Sequence, residues 1–110
     1  MGLTKSAIFT AEQNKIASIA KVLGHPARIA ILQYLLAKQK CICGDLVIEI
    51  GLAQATISQH LKEMKSIGLL KGNIEGTRVC YCIDSTVFRD IKNIFDSIFN
   101  ETIAANKNCC

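Results

Sequence analysis

A chain of 110 residues, 50% apolar and 5% aromatic, has the length of one small domain with a modest core. That apolar content excludes an intrinsically disordered chain, and the scarcity of aromatic rings argues against a stacking platform for single-stranded nucleic acid. The formal net charge of +4 fits a polyanionic partner, and a dimer would carry twice as much.

Thr10 and Gln13 form a capping-box signature, and Ile16, Ile19, Ala20 and Leu23 follow at helical spacing, which sets a first helix within 8–24, closed by Gly24. Pro26, the only proline, suits the first turn of a second helix, where its missing N–H costs nothing. Ile29, Ile31, Leu32, Leu35 and Leu36 make that helix apolar over a wide arc, so it is expected at the centre of the core. After the polar break Lys38-Gln39-Lys40, a short third helix is expected from Gly44 to Ile50, closed by Gly51, and a fourth from Ala53 to Ile67, stopped by Gly68. Two strands follow, Leu69 to Ile74 and Arg78 to Ile83, turning around Glu75-Gly76-Thr77. Ser85 is the expected cap of a last helix over 85–105, bearing Phe88, Ile91, Phe95, Ile98 and Phe99, before the tail at 106–110. Val87, Ile94 and Ile103 widen its apolar stripe beyond one face, which marks an association surface, the alternative being a stripe packed wholly on its own core. The expected architecture is mainly α with a small β-hairpin, a single domain over 1–110.

On a helical wheel, Ile57, Leu61, Met64 and Ile67 fall together and anchor the fourth helix to the core. Ala55, Gln59, Lys62 and Ser66 fall opposite, flanked by Ser58 and Lys65 on one side and Thr56 on the other, while His60 lies at the edge of the buried face as a packing or phosphate-neighbour residue. Gln54, Ala55, Thr56, Ser58, Gln59, His60 and Lys62 are the candidate DNA contacts. Amide, hydroxyl and cationic side chains suit a major groove: glutamine pairs with the edge of adenine, while hydroxyls and lysines hold phosphates. A short helix, a turn containing Gly51 and a helix with a polar outward face (44–67) make a helix-turn-helix, and the hairpin over 69–83 carries Arg78 near its tip. An ordinary solvated helix is the alternative, although such a face carries more alternating charge than the one acidic residue, Glu63, found here.

The block AQATISQHLKEMKSIGLLKGNIEGTRVCYCI resembles the recognition helix and wing of the ArsR/SmtB family of bacterial metal-responsive repressors. His25-Pro26-Ala27-Arg28 followed by Ile29-Ala30-Ile31-Leu32 is similar to that family's second-helix opening. The resemblance implies a winged helix-turn-helix homodimer joined through its first and last helices. It would be a cytoplasmic repressor of double-stranded operator DNA, with no membrane association and no constitutive cofactor. Cys41-Ile42-Cys43 resembles the arsenic-type site of the family, in which thiolates take As(III) or Sb(III). Gly44 stands before Asp45-Leu46 and Val47 stands near the place of a third thiol, so a site of three sulfurs within this helix is incomplete.

The six cysteines fall in three close pairs, which suits ligand clusters in a reducing compartment better than a secreted disulfide scaffold. Cys41 and Cys43 would project about 200° apart on a regular helix, so gripping one ion would require its first turn to unwind. Cys109 and Cys110 on the tail would supply further sulfur for arsenite or an organoarsenical, or else are an incidental end. Cys80 and Cys82 alternate on one face of a wing strand and read as small buried hydrophobes. The zinc-type site on the last helix is missing, since His25 and His60 both lie elsewhere. Thiol-redox sensing by the same repressor is the alternative function. A thiol enzyme or metal chaperone is disfavoured, because there is no C-x-x-C, no acid–base partner beside a cysteine and no phosphate-binding glycine loop.

Overall fold

The computed structural model describes residues 8–42, 44, 46–75 and 78–103, with the backbone alone over 73–75 and at 78 and 79. Thr10 opens helix α1 (Ala11–Leu23) with the expected capping box: the Gln13 amide donates to Thr10 Oγ1 and the Thr10 amide donates to Gln13 Oε1, each at 3.0 Å. Helix α2 (Pro26–Lys38) starts on Pro26 with His25 as N-cap, whose Nδ1 accepts from the Ala27 amide at 3.1 Å. Ile31 and Leu35 are sealed from solvent, and α2 touches α1, both helices of the helix-turn-helix and the second strand, so it is the core element that its apolar arc predicts.

Helix α3 is Leu46–Ile50, shorter than expected, because Gly44 has φ +83° and leaves the right-handed region. Gly51, at φ +81°, turns the chain into α4 (Gln54–Ser66), in a conformation that a side chain would strain. Strands β1 (Leu70–Glu75) and β2 (Arg78–Ile83) pair antiparallel from Leu70 opposite Ile83 to Glu75 opposite Arg78. The wing has a third strand-like edge. Ile42 and Tyr81 exchange two backbone hydrogen bonds of 2.9 Å, which stitches the loop before α3 to β2.

Helix α5 (Ser85–Phe99) corrects two expectations. Its cap is Asp84 rather than Ser85, since Asp84 Oδ1 accepts from the amides of Thr86 and Val87 at 3.1 and 3.2 Å. It also ends at Phe99 rather than 105, because Asn100-Glu101-Thr102 offers no apolar contact to support another turn. Ile91 is its buried contact with the core, while Ile98, Phe99 and the following Ile103 stand exposed, as do Ile8 and Phe9 beside α1. Helices α1 and α5 touch each other. Among the described residues, five helices, α3 the shortest, and a two-stranded hairpin after the helix-turn-helix make the winged helix-turn-helix fold.

Candidate functional site

Helix α4 is held by one face and open on the other. Ile57, Leu61 and Met64 are buried against the core, while Gln54, Ala55, Thr56, Ser58, Gln59, Lys62 and Lys65 are exposed. Two of the amides are already oriented: Gln54 Nε2 donates to Ser58 Oγ at 3.1 Å and Gln59 Nε2 to Glu63 Oε2 at 3.3 Å. The outward face is thus polar, with lysines one turn apart or less and no bulky apolar group in the way. Arg78 begins β2 opposite Glu75; its side chain lies outside what the structure describes.

His60 does not belong to that face. It is 7% exposed, and its Nδ1 accepts from Arg28 Nε at 3.0 Å. The same guanidinium donates through Nη1 to the Val22 carbonyl at 3.0 Å, so Arg28 ties the end of α1 to the middle of α4. The His25 ring stacks at a tilt on His60, centroids 4.4 Å apart. Burial first, then the charges of His25 and Arg28, hold the His60 imidazole below its ordinary value of 6.5. A neutral ring is what the Arg28 bond requires, since Nδ1 must accept. Of the two roles expected for His60, packing and DNA contact, its burial and its bond to Arg28 fit the packing one.

The sulfurs are arranged differently from the sequence reading. Cys41 precedes α3 in an extended segment, so the geometry of two thiols on a helical turn does not apply to it. Cys41 and Cys82 are disulfide-bonded, with Cα atoms 4.3 Å apart. That spacing follows from the strand register: next to the hydrogen-bonded pair Ile42–Tyr81, the neighbouring antiparallel pair has its side chains close together on one side. Cys80 is fully buried and disulfide-bonded as well, so neither wing cysteine is merely the small hydrophobe expected. Cys43, Cys109 and Cys110 lie outside the described residues. Among the described residues, no three His, Cys, Asp or Glu side chains converge on a point that could hold a metal ion. The alternation over Cys41-Ile42-Cys43 is compatible with an extended segment, although it does not identify Cys82 as the partner.

No described helix is long and apolar enough to cross a membrane. Residues 25–71, which span α2 to the start of β1, match the family described as bacterial regulatory protein, arsR family. The chain is 34% identical over 85 residues to the uncharacterized HTH-type transcriptional regulator MJ1325 of Methanocaldococcus jannaschii, covering 76% of this chain and 94% of that protein. It is 28% identical over 97 residues to the HTH-type transcriptional regulator YgaV of Escherichia coli, covering 84% of this chain and 98% of that one. In fold it is similar to the homodimeric winged helix-turn-helix DNA-binding domain Mb0332 of Mycobacterium bovis, with a TM-score of 0.64 at 24% identity over 96% of this chain and 94% of that domain. This chain, with its core-anchored α4 and its hairpin wing, belongs to the arsR family and is a transcriptional regulator.

Proposed function

We propose that the chain is a homodimeric repressor that grips an operator through α4 and lets go when a thiophilic trivalent species, arsenite, antimonite or an organoarsenical, is taken by cysteine thiolates. The observation that carries the DNA half of this reading is α4, clamped by Ile57, Leu61 and Met64 with its polar side outward. Gln54, Ala55, Thr56, Ser58, Gln59 and Lys62 are its contact residues, with Arg78 of the wing reaching backbone or minor groove. The exposed apolar groups Ile8 and Phe9 before α1, and Ile98, Phe99 and Ile103 at and after the end of α5, supply the dimer contact, as the homodimeric relative suggests. Two α4 helices then meet half-sites about 34–36 Å apart. A regulator of this kind works in the cytoplasm, where its DNA lies and where thiols are kept reduced.

The effector half rests on Cys41, placed where the loop before α3 is stitched to the wing. Cys43, Cys109 and Cys110 are the remaining ligand candidates. A coupling of about 1–3 kcal/mol between effector and operator is typical of such linkage. The test is an operator titration under anaerobic, thiol-free reducing conditions. Arsenite or antimonite is expected to release the DNA. Release by peroxide alone, reversed by dithiothreitol, would replace this signal with thiol oxidation, and no release by any trivalent species would end the reading.

The α4 face has its own expected result. Lys62→Ala weakens binding to all sequences alike and lowers the slope of log affinity against log salt by about one. Gln59→Ala instead relaxes discrimination at one base position by about 1–3 kcal/mol. A footprint and salt series on both variants checks the division of roles.

A further inference from the structure

Between α2, the wing and the first turn of α5 lies a cavity of about 550 Å³. Its size falls in the range of about 300–1,000 Å³ typical of small-molecule sites. Leu35 and Leu36 of α2, Ile83 of β2 and Phe88 of α5 form its apolar wall, and three of them, Leu36, Ile83 and Phe88, are only half-buried. Lys40 and Lys71 give the same cavity a cationic side. The strand register sets Lys71 opposite Cys82, and Lys40 precedes Cys41, so a lysine flanks each of the two bonded sulfurs. Both lysines are exposed, and among the described residues neither is paired with a carboxylate. No aspartate or glutamate among the described residues lines the cavity. Asp84, between Ile83 and Ser85, is turned onto the α5 amides that it caps.

An apolar wall beside two uncompensated cations is complementary to one kind of small molecule. A neutral hydrocarbon leaves the lysines unused, and an inorganic anion leaves the apolar wall in water. We infer that this cavity binds an amphipathic organic acid, its apolar body against Leu36, Ile83 and Phe88 and its carboxylate at Lys40 and Lys71. The ligand is held without any bond to sulfur, so the site stands or falls independently of the arsenite reading. Because the walls come from α2, β2 and α5, an occupant touches the wing and the last helix together.

The test uses the full chain, with decanoate and naphthoate as probes below micelle formation and decanol and decyltrimethylammonium as matched controls. Calorimetry is expected to give one acid per chain. Decanol, which lacks the charge, binds about tenfold more weakly, and the cation more weakly still. Shortening decanoate to octanoate costs about tenfold again. Lys40→Gln/Lys71→Gln changes two exposed side chains and leaves the core intact. It brings decanoate down to the affinity of decanol and leaves decanol itself unchanged. In methyl spectra the Leu36 and Ile83 signals move on titration, while that of Ile48, exposed on α3 and outside the cavity, stays. Binding of either acid at these methyls supports the site, and their ranking tells a chain from a ring. Equal binding of decanoate and decanol, or an unchanged affinity in the lysine variant, overturns the inference. So does movement of the Ile98 and Ile103 signals in place of Leu36 and Ile83, or binding of neither acid.

Discussion

Ile57→Ala is expected to lower the stability of the folded protein by about 3 kcal/mol. Ile57 is 1% exposed and sits at the first turn of α4, against the core that includes Leu46 and Leu61. Truncation removes three methyl and methylene groups and leaves a hole between α4 and its support, where neighbours cannot collapse without shifting the helix. Thr56→Ala, one residue earlier on the exposed side, should stay within about 0.5 kcal/mol of wild type. Urea titrations of the three proteins at one fixed concentration check this, since a dimer's midpoint depends on concentration. Similar losses in the two variants would mean that the buried and outward faces of α4 are misassigned.

Arg28→Ala should cost about 2–3 kcal/mol, because it removes two charge-assisted hydrogen bonds at once. One reaches His60 Nδ1 in α4 and the other the Val22 carbonyl at the end of α1, both at 3.0 Å, and both acceptors are then left without that donor. Arg28→Lys is expected to recover little of this, because an ammonium cannot serve both partners with the guanidinium's fixed fork. The same contact sets a pH dependence. His60 is held below 6.5 in the folded protein, so as pH falls through 6.5 the unfolded chain binds the proton first. The contribution of His60 is therefore complete above 6.5 and is lost as pH falls toward the depressed folded-state value. His60→Gln keeps an acceptor for Arg28 and removes the titration. Its stability should change less than that of wild type between about pH 7.5 and about pH 5.5. An identical profile for the two proteins would remove His60 as the source.

Much of the fold is legible along the chain because its punctuation is local. The Thr10–Gln13 box, Pro26 at a helix start and the glycines at 51 and 68 each act within a turn of the residues they control. Local signals of similar strength compete at the boundary before α5, where Asp84 and Ser85 are both good caps and the carboxylate wins by bonding two amides. The outward face of α4 is legible for the same reason: its periodicity is carried by thirteen consecutive residues. His60 is the exception, since the wheel places it at a border and only Arg28, 32 residues away, decides which side it joins. Cys82 was out of reach in the same way. Nothing near it in sequence indicates that it faces Cys41 across a separation of 41 residues; the strand register does that.

The paired amides of Ile42 and Tyr81 have a topological meaning as well. They close the intervening chain, with α3, α4 and β1 inside it, into a ring whose two ends are pinned at one spot. Helix α4 is thereby tethered from a point outside itself. Opening the clasp would lengthen the free loop for every part of the ring together.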